Sequence, residues 1–134
     1  MPKTAFLFPG QGAQTVGMAA ALCQSSPAAR DLFARAAAIL GFDLLDLCTN
    51  GPAERLNATD VSQPAIFVAS LAALEQLKAT EPDALAGVFA AAGLSFVHAI
   101  LSGSYAQRVF VWNCTSRPCP LTGSWHITDR ASWP

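Results

Sequence analysis

Scarcity narrows the chemistry of this chain before any motif does. It has only two histidines, His98 and His126, and four scattered cysteines, Cys23, Cys48, Cys114 and Cys119, with no C-x-x-C pair. The usual zinc spacings cannot be assembled from these residues. Cys114 and Cys119 near His126 lack the spacing of a zinc knuckle, so no metal site is expected. A cytoplasmic chain with reduced thiols is the expectation that follows. Eight Lys and Arg against nine Asp and Glu leave a net charge of -1, with no basic run or stripe, which argues against a nucleic-acid partner. No apolar stretch approaches the roughly 18 residues that cross a bilayer. The apolar run at 5–8 is too short for a signal-peptide core and stops at Pro9-Gly10, so neither a membrane span nor an export signal is expected. No G-x-G-x-x-G or Walker pattern is present, although a glycine-rich loop follows the first apolar run.

What is present reads as one small folded domain. The 134 residues, 14.0 kDa, are 52% apolar with a mean hydropathy of +0.36, which supports a real core, although the length is short for an α/β enzyme. Residues 4–8 are a compact apolar run stopped by Pro9-Gly10, the pattern of a first and central strand. Gly10-Gln11-Gly12-Ala13-Gln14 follows, a loop whose glycines leave backbone NH groups open to a ligand. Residues 17–24 suit two helical turns. Ser26 then suits an N-cap with Pro27 at the first helical position and Gly41 as the stop, and Leu32, Phe33, Ala36, Ala37 and Leu40 form one face. Shorter turns are expected at 42–48 and 52–56. A longer helix, capped by Asp60 or Ser62 and with Pro64 in its first turn, is expected to run to about Lys78 with Phe67, Ser70, Leu71, Leu74 and Leu77 on its buried face.

The rest of the chain is arranged around residues 87–95, Gly-Val-Phe-Ala-Ala-Ala-Gly-Leu-Ser. Val88 to Ala92 is wholly apolar with no polar alternation, the pattern of a strand buried on both faces of a parallel sheet. Gly93 allows a sharp turn, after which Ser95 would stand clear of the sheet edge. That is the first half of a nucleophile elbow, Gly-x-Ser-x-Gly; its second glycine is replaced by Val97. Taken alone, a serine after a glycine at the end of a strand is far more often an ordinary helix cap than a nucleophile. His98 sits three positions on from Ser95, where it would point into the following helix, and is read as non-catalytic. Strand, helices, strand and an intended helix make an α/β architecture with parallel strands.

Composition changes after Ser95. All three tryptophans, both histidines and two of the four cysteines lie in residues 96–134, while alanine falls from 23 in the first 95 residues to three in these 39. Asp129 is the only acidic residue there. Two regions are therefore expected: 1–95, and an irregular tail at 96–134.

The string Phe-Pro-Gly-Gln-Gly-Ala-Gln at 8–14 with Val16-Gly17-Met18 resembles the opening of malonyl-CoA:acyl carrier protein transacylases. Gly41-Phe42-Asp43-Leu44-Leu45, Gln63-Pro64-Ala65 and Ala91-Ala92-Gly93-Leu94-Ser95 continue that resemblance in order across residues 4–95; polyketide-synthase acyltransferase domains share much of it. The motif likeness stops after Ser95, a break that suggests a change of reading frame, splice or assembly at that point. The resemblance implies a parallel-sheet, α/β-hydrolase-like acyltransferase core, truncated here, without the later strands and the small ferredoxin-like subdomain. It implies that Ser95 takes the malonyl group of malonyl-CoA as an ester and yields it to the pantetheine thiol of acyl carrier protein, as part of fatty acid synthesis. The backbone NH groups of Gln11 and Phe96 would stabilise the oxyanion, and Gln63 matches a position near the active site, with a helix-start hydrogen bond as its other reading. No cofactor is implied beyond malonyl-CoA as substrate, and a cytoplasmic monomer is expected. The family carries a glycine and then usually a glutamate where Val97 and His98 stand, and its general-base histidine lies beyond the last residue here. Arg117 stands near the distance of the family's malonate-binding arginine, but its Ser-Arg-Pro setting does not match that motif. The expectation is a weakly active or inactive form, or a non-catalytic fragment that keeps some CoA or carrier-protein contacts.

Overall fold

A computed structural model of the chain describes residues 4–86, 88–93, 108–112 and 125–129. It divides into two compact units, one of residues 11–82 and the other of residues 1–10 with 83–134. Residues 1–10 join the later unit because the first strand pairs with a strand that follows the whole helical segment.

In the sheet unit, β1 (Thr4–Phe8), β2 (Val88–Gly93), β3 (Arg108–Trp112) and β4 (Trp125–Asp129) lie side by side in chain order. β1–β2 and β2–β3 are parallel, and β3–β4 is antiparallel. The parallel α/β core is therefore present, with three differences from the sequence reading. Among the described residues β1 is an edge strand, and β2 is the one with a parallel neighbour on each side. The expected irregular tail contributes two strands. Burial of β2 on both faces is not seen either. Phe6 and Phe8 stand opposite Ala91 and Gly93, with the two rings edge to face at 6.4 Å between centroids. Phe8, Ala91 and Gly93 on that side are buried. On the opposite side Ala90 and Ala92 are half-buried and Leu7 is 80% exposed.

The helical unit is built from α1 (Ala20–Ser25), α2 (Pro27–Leu40), α3 (Leu44–Asn50), α4 (Ala53–Asn57) and α5 (Thr59–Thr80); a short α6 (Pro82–Ala86) leads towards β2. Capping chemistry decides most of these boundaries. The Ser26 side chain accepts from the Ala29 N–H at 3.2 Å with Pro27 at the first helical position, and the Asp43 carboxylate accepts from the Asp46 N–H at 2.9 Å. Ser26→Ala is expected to lower stability by about 1 kcal/mol, read as a shift in the urea midpoint with an unchanged slope. Helix α1 starts at Ala20 rather than at Gly17, since Gly17 (φ 96°) and Ala19 (φ 66°) hold left-handed backbone that no right-handed helix can include. At Gly51 (φ 81°) an added Cβ would meet the Ala53 N at 3.2 Å and a Val16 methyl at 3.3 Å, so only glycine lets α3 turn into α4 there.

The core of this unit is Cys23, Ala29, Phe33, Leu44, Cys48, Leu56, Val61, Ala65, Val68 and Ala72, with Leu32, Ala36 and Leu40 of the expected α2 face packed against it. Here α5 departs from the sequence reading. It starts at Thr59 after Ala58 with no side-chain cap, so neither Asp60 nor Ser62 serves as one, and Pro64 falls in the second turn. Ser62 is buried, and its hydroxyl has no hydrogen-bond partner among the described residues. The α5 residues in this core are Val61, Ala65, Val68 and Ala72; of the expected face Leu74 is buried, whereas Phe67, Leu71 and Leu77 are half-buried. Apolar residues surround α5 almost completely, so periodicity does not select a phase. Ala65 and Ala72 keep the core side of α5 small.

Cys23 and Cys48 are free thiols inside this core. Burial pushes the Cys48 thiol up to about 11, with the nearby Cys23 adding to the shift, and burial raises Cys23 as well. Because the folded state disfavours the Cys48 thiolate, its contribution to stability is complete below about pH 9 and is lost as pH rises towards 11. Urea midpoints measured across that window should fall more steeply for the parent chain than for Cys48→Ala; matching slopes would contradict this assignment.

Candidate active site

The loop after β1 carries the geometry. Gln11 and Gly12 form a turn, and Gly12 sits at φ 108°, a conformation side chains resist. The Gly12 N–H donates to Gln14 Oε1 at 2.8 Å, closing the loop on itself. The other end of the Gln14 amide, Nε2, donates to Asn57 Oδ1 at 2.9 Å, at the last residue of α4. Gln11 Nε2 donates to Thr59 Oγ1 at 3.2 Å, at the first residue of α5. Two amide side chains thus tie the loop to the α4–α5 junction. Arg55 Nη1 reaches both carboxylate oxygens of Asp60 across that junction, at 3.0 and 2.8 Å, and the Arg55 guanidinium carbon lies 5.8 Å from the centre of the Phe42 ring.

Of the residues singled out from the sequence, Gln11 lies in this loop with its side chain anchored rather than free. Gln63 is exposed on α5, four residues after Thr59 and therefore on the same side of the helix one turn on. Ser95, Phe96, Val97, His98 and Arg117 lie outside the described residues, as do Cys114 and Cys119. Strand β2 ends at Gly93, two residues before Ser95, and Gly93 is the register partner of Phe8, the last residue of β1. Among the described residues no group of three or more His, Cys, Asp or Glu is placed to hold a metal ion, and no helix is long and apolar enough to cross a membrane. Sequence reasoning missed Gln14, Asn57 and Thr59. Gln14 was visible in the glycine–amide string, but its partner is 43 residues away and carries no local signal.

A parallel pair of strands, the first leading into a glycine–amide loop, within a sheet and helices in alternation, defines an α/β protein. The chain belongs to the acyl transferase domain family, whose sequence model matches residues 5–90. It is 48% identical over 104 residues to the human mitochondrial malonyl-CoA-acyl carrier protein transacylase, which covers 78% of this chain and 25% of that protein. It is 53% identical over 72 residues to the Escherichia coli K12 malonyl CoA-acyl carrier protein transacylase, covering 54% of this chain and 23% of that one. Among solved structures it resembles a malonyl-transacylase in complex with its type II PKS acyl-carrier protein (TM-score 0.68, 33% identity, 80% of this chain and 33% of that one). The acyl-carrier-protein-S-malonyltransferase of Bartonella henselae is similar at TM-score 0.66 and 32% identity, covering 79% of this chain and 32% of that one. The chain thus spans about a quarter of the length of these curated relatives. A match of 104 residues within 134 must include positions 31–104, so the stretch similar to the human protein takes in Ser95 and extends past it, further than the motif likeness alone.

Proposed function

We propose that this chain carries out malonyl transfer through a serine ester. Ser95 Oγ attacks the thioester carbonyl of malonyl-CoA and its hydroxyl proton passes to a base. The tetrahedral oxyanion is held by the backbone NH groups of Gln11 and Phe96, and CoA leaves as its thiol. The pantetheine thiol of acyl carrier protein then attacks the ester and regenerates the hydroxyl. No cofactor takes part, Gln63 faces the acyl group, and the chain works in the cytoplasm as a monomer. Turnover is slow, because Val97 stands in place of the second glycine of the elbow that would hold Ser95 on its turn.

The observation that carries this reading is the register of β1 and β2. Phe8 and Gly93 are partners in a parallel pair, and Gln11 follows the first by three residues while Ser95 follows the second by two. In open α/β sheets, ligands bind beyond the carboxyl ends of the strands. A second reading, a non-catalytic piece that keeps only malonyl-CoA or carrier contacts, draws on the fact that the chain spans a quarter of its relatives. Intact-protein and peptide mass spectrometry after incubation with malonyl-CoA separates the two. A malonyl ester mapped to Ser95, and lost on addition of acyl carrier protein, supports the enzyme. A cooperatively folded sample without an adduct supports the second reading.

A further inference from the structure

We propose that Gln14, Asn57 and Thr59 are positioning residues that set the orientation of the Gln11–Gly12 turn, and so the aim of the Gln11 backbone NH at the acyl oxygen; this rests on the acyl-transfer reading above. The turn has little of its own to hold it, since Gly12 has the widest conformational freedom of any residue type and Gln11 is exposed. Its order comes from a relay. The Gln14 amide accepts the Gly12 N–H through its oxygen and donates through its nitrogen to Asn57, so one side chain links the loop backbone to the end of α4. The Gln11 amide makes a parallel link to Thr59 one element later. The anchor points are stiff. Ala58 between them accepts the N–H groups of Val61 and Ser62 at 3.0 and 2.8 Å, and the Arg55–Asp60 pair spans the same corner.

The chemical reason is preorganisation. A donor aimed in advance at a developing oxyanion needs no reorganisation during reaction, and a misplacement of about 1 Å can cost a hundredfold in rate. Loss of either link frees the loop without disturbing the core, because both links lie at exposed side chains.

The test uses the full chain and the variants Asn57→Ala, Thr59→Val and Asn57→Asp. The aspartate keeps an oxygen acceptor for the Gln14 amide and serves as the conservative rescue. Three quantities are read: amide hydrogen exchange at Gly12 by NMR, the maximal rate of Ser95 acylation by malonyl-CoA, and the malonyl-CoA concentration giving half that rate. Asn57→Ala and Thr59→Val should lower the maximal rate about tenfold to a hundredfold with the half-saturating concentration and the thermal midpoint unchanged. Asn57→Ala should speed Gly12 exchange about tenfold, and Asn57→Asp should restore both rate and protection. Unchanged Gly12 exchange in Asn57→Ala overturns the relay. Faster exchange with unaltered acylation overturns the positioning role. A parent chain that never acylates while Gly12 exchange still responds removes the acyl-transfer reading and this role with it, but leaves the relay as a structural fact.

Discussion

Ser95→Ala is expected to leave no malonyl adduct on the protein after prolonged incubation with malonyl-CoA, whereas the parent chain accumulates one. Alanine removes the only atom at that position able to form the ester, so the loss is absolute for the covalent step rather than graded. Elsewhere, removing the nucleophile of a serine triad costs about a millionfold in turnover. Here the parent rate is itself expected to be low, because Val97 replaces the second glycine of the serine's turn. The end-point amount of ester is therefore the proper measure, read by mass spectrometry over hours. An adduct that persists in Ser95→Ala at another residue would show that the chain is acylated non-specifically. Hydroxylamine adds a control, since it cleaves an oxygen ester and leaves a lysine amide in place.

The second large effect concerns stability. Phe33 is 1% exposed at the centre of the helical core, where it packs with Ala29, Leu44, Cys48 and the inner stripe of α5. Phe33→Ala should cost about 3–5 kcal/mol, a lost transfer term plus the cavity left by partial relaxation. Domains of this size are commonly stable by only about 5–15 kcal/mol, and this chain leaves Leu7 80% exposed on its sheet. The variant should therefore be largely unfolded at ambient temperature, or melt far below the parent in a denaturant titration followed by circular dichroism. A midpoint within about 1 kcal/mol of the parent would mean that the core repacks around the gap. Ile39, 85% exposed on the same helix, is the matched control, and its alanine variant should stay within about 0.5 kcal/mol.

Much of the local structure was legible in the residues. Ser26-Pro27 and Gly41 bracket α2 as expected, Asn50-Gly51 ends α3, and Glu81-Pro82 ends α5, because capping and breaking depend on side chains within a few positions of the backbone they act on. The glycine–amide loop was legible as a turn for the same reason, and its family was legible because the motif is long and ordered. The phase of α5 was not. Its sequence is apolar on nearly every side, and only packing into the core selects Val61, Ala65, Val68 and Ala72. Periodicity also placed β1 at the centre of the sheet, where an apolar run belongs. The strand pairs with β2 alone among the described residues, and strand order is set by which distant segments meet.

From its amino acids alone this chain could be read as an α/β acyltransferase piece with helices capped where short-range hydrogen bonds put them. Packing was needed to show that Gln14 and Asn57, 43 residues apart, share a hydrogen bond, that Gln11 is held by Thr59, and that Phe8 and Gly93 end their strands together. The reason is one of range. Caps and turns are settled within a few residues of chain, whereas loop anchors, helix phase and strand order depend on contacts whose partners no local pattern names.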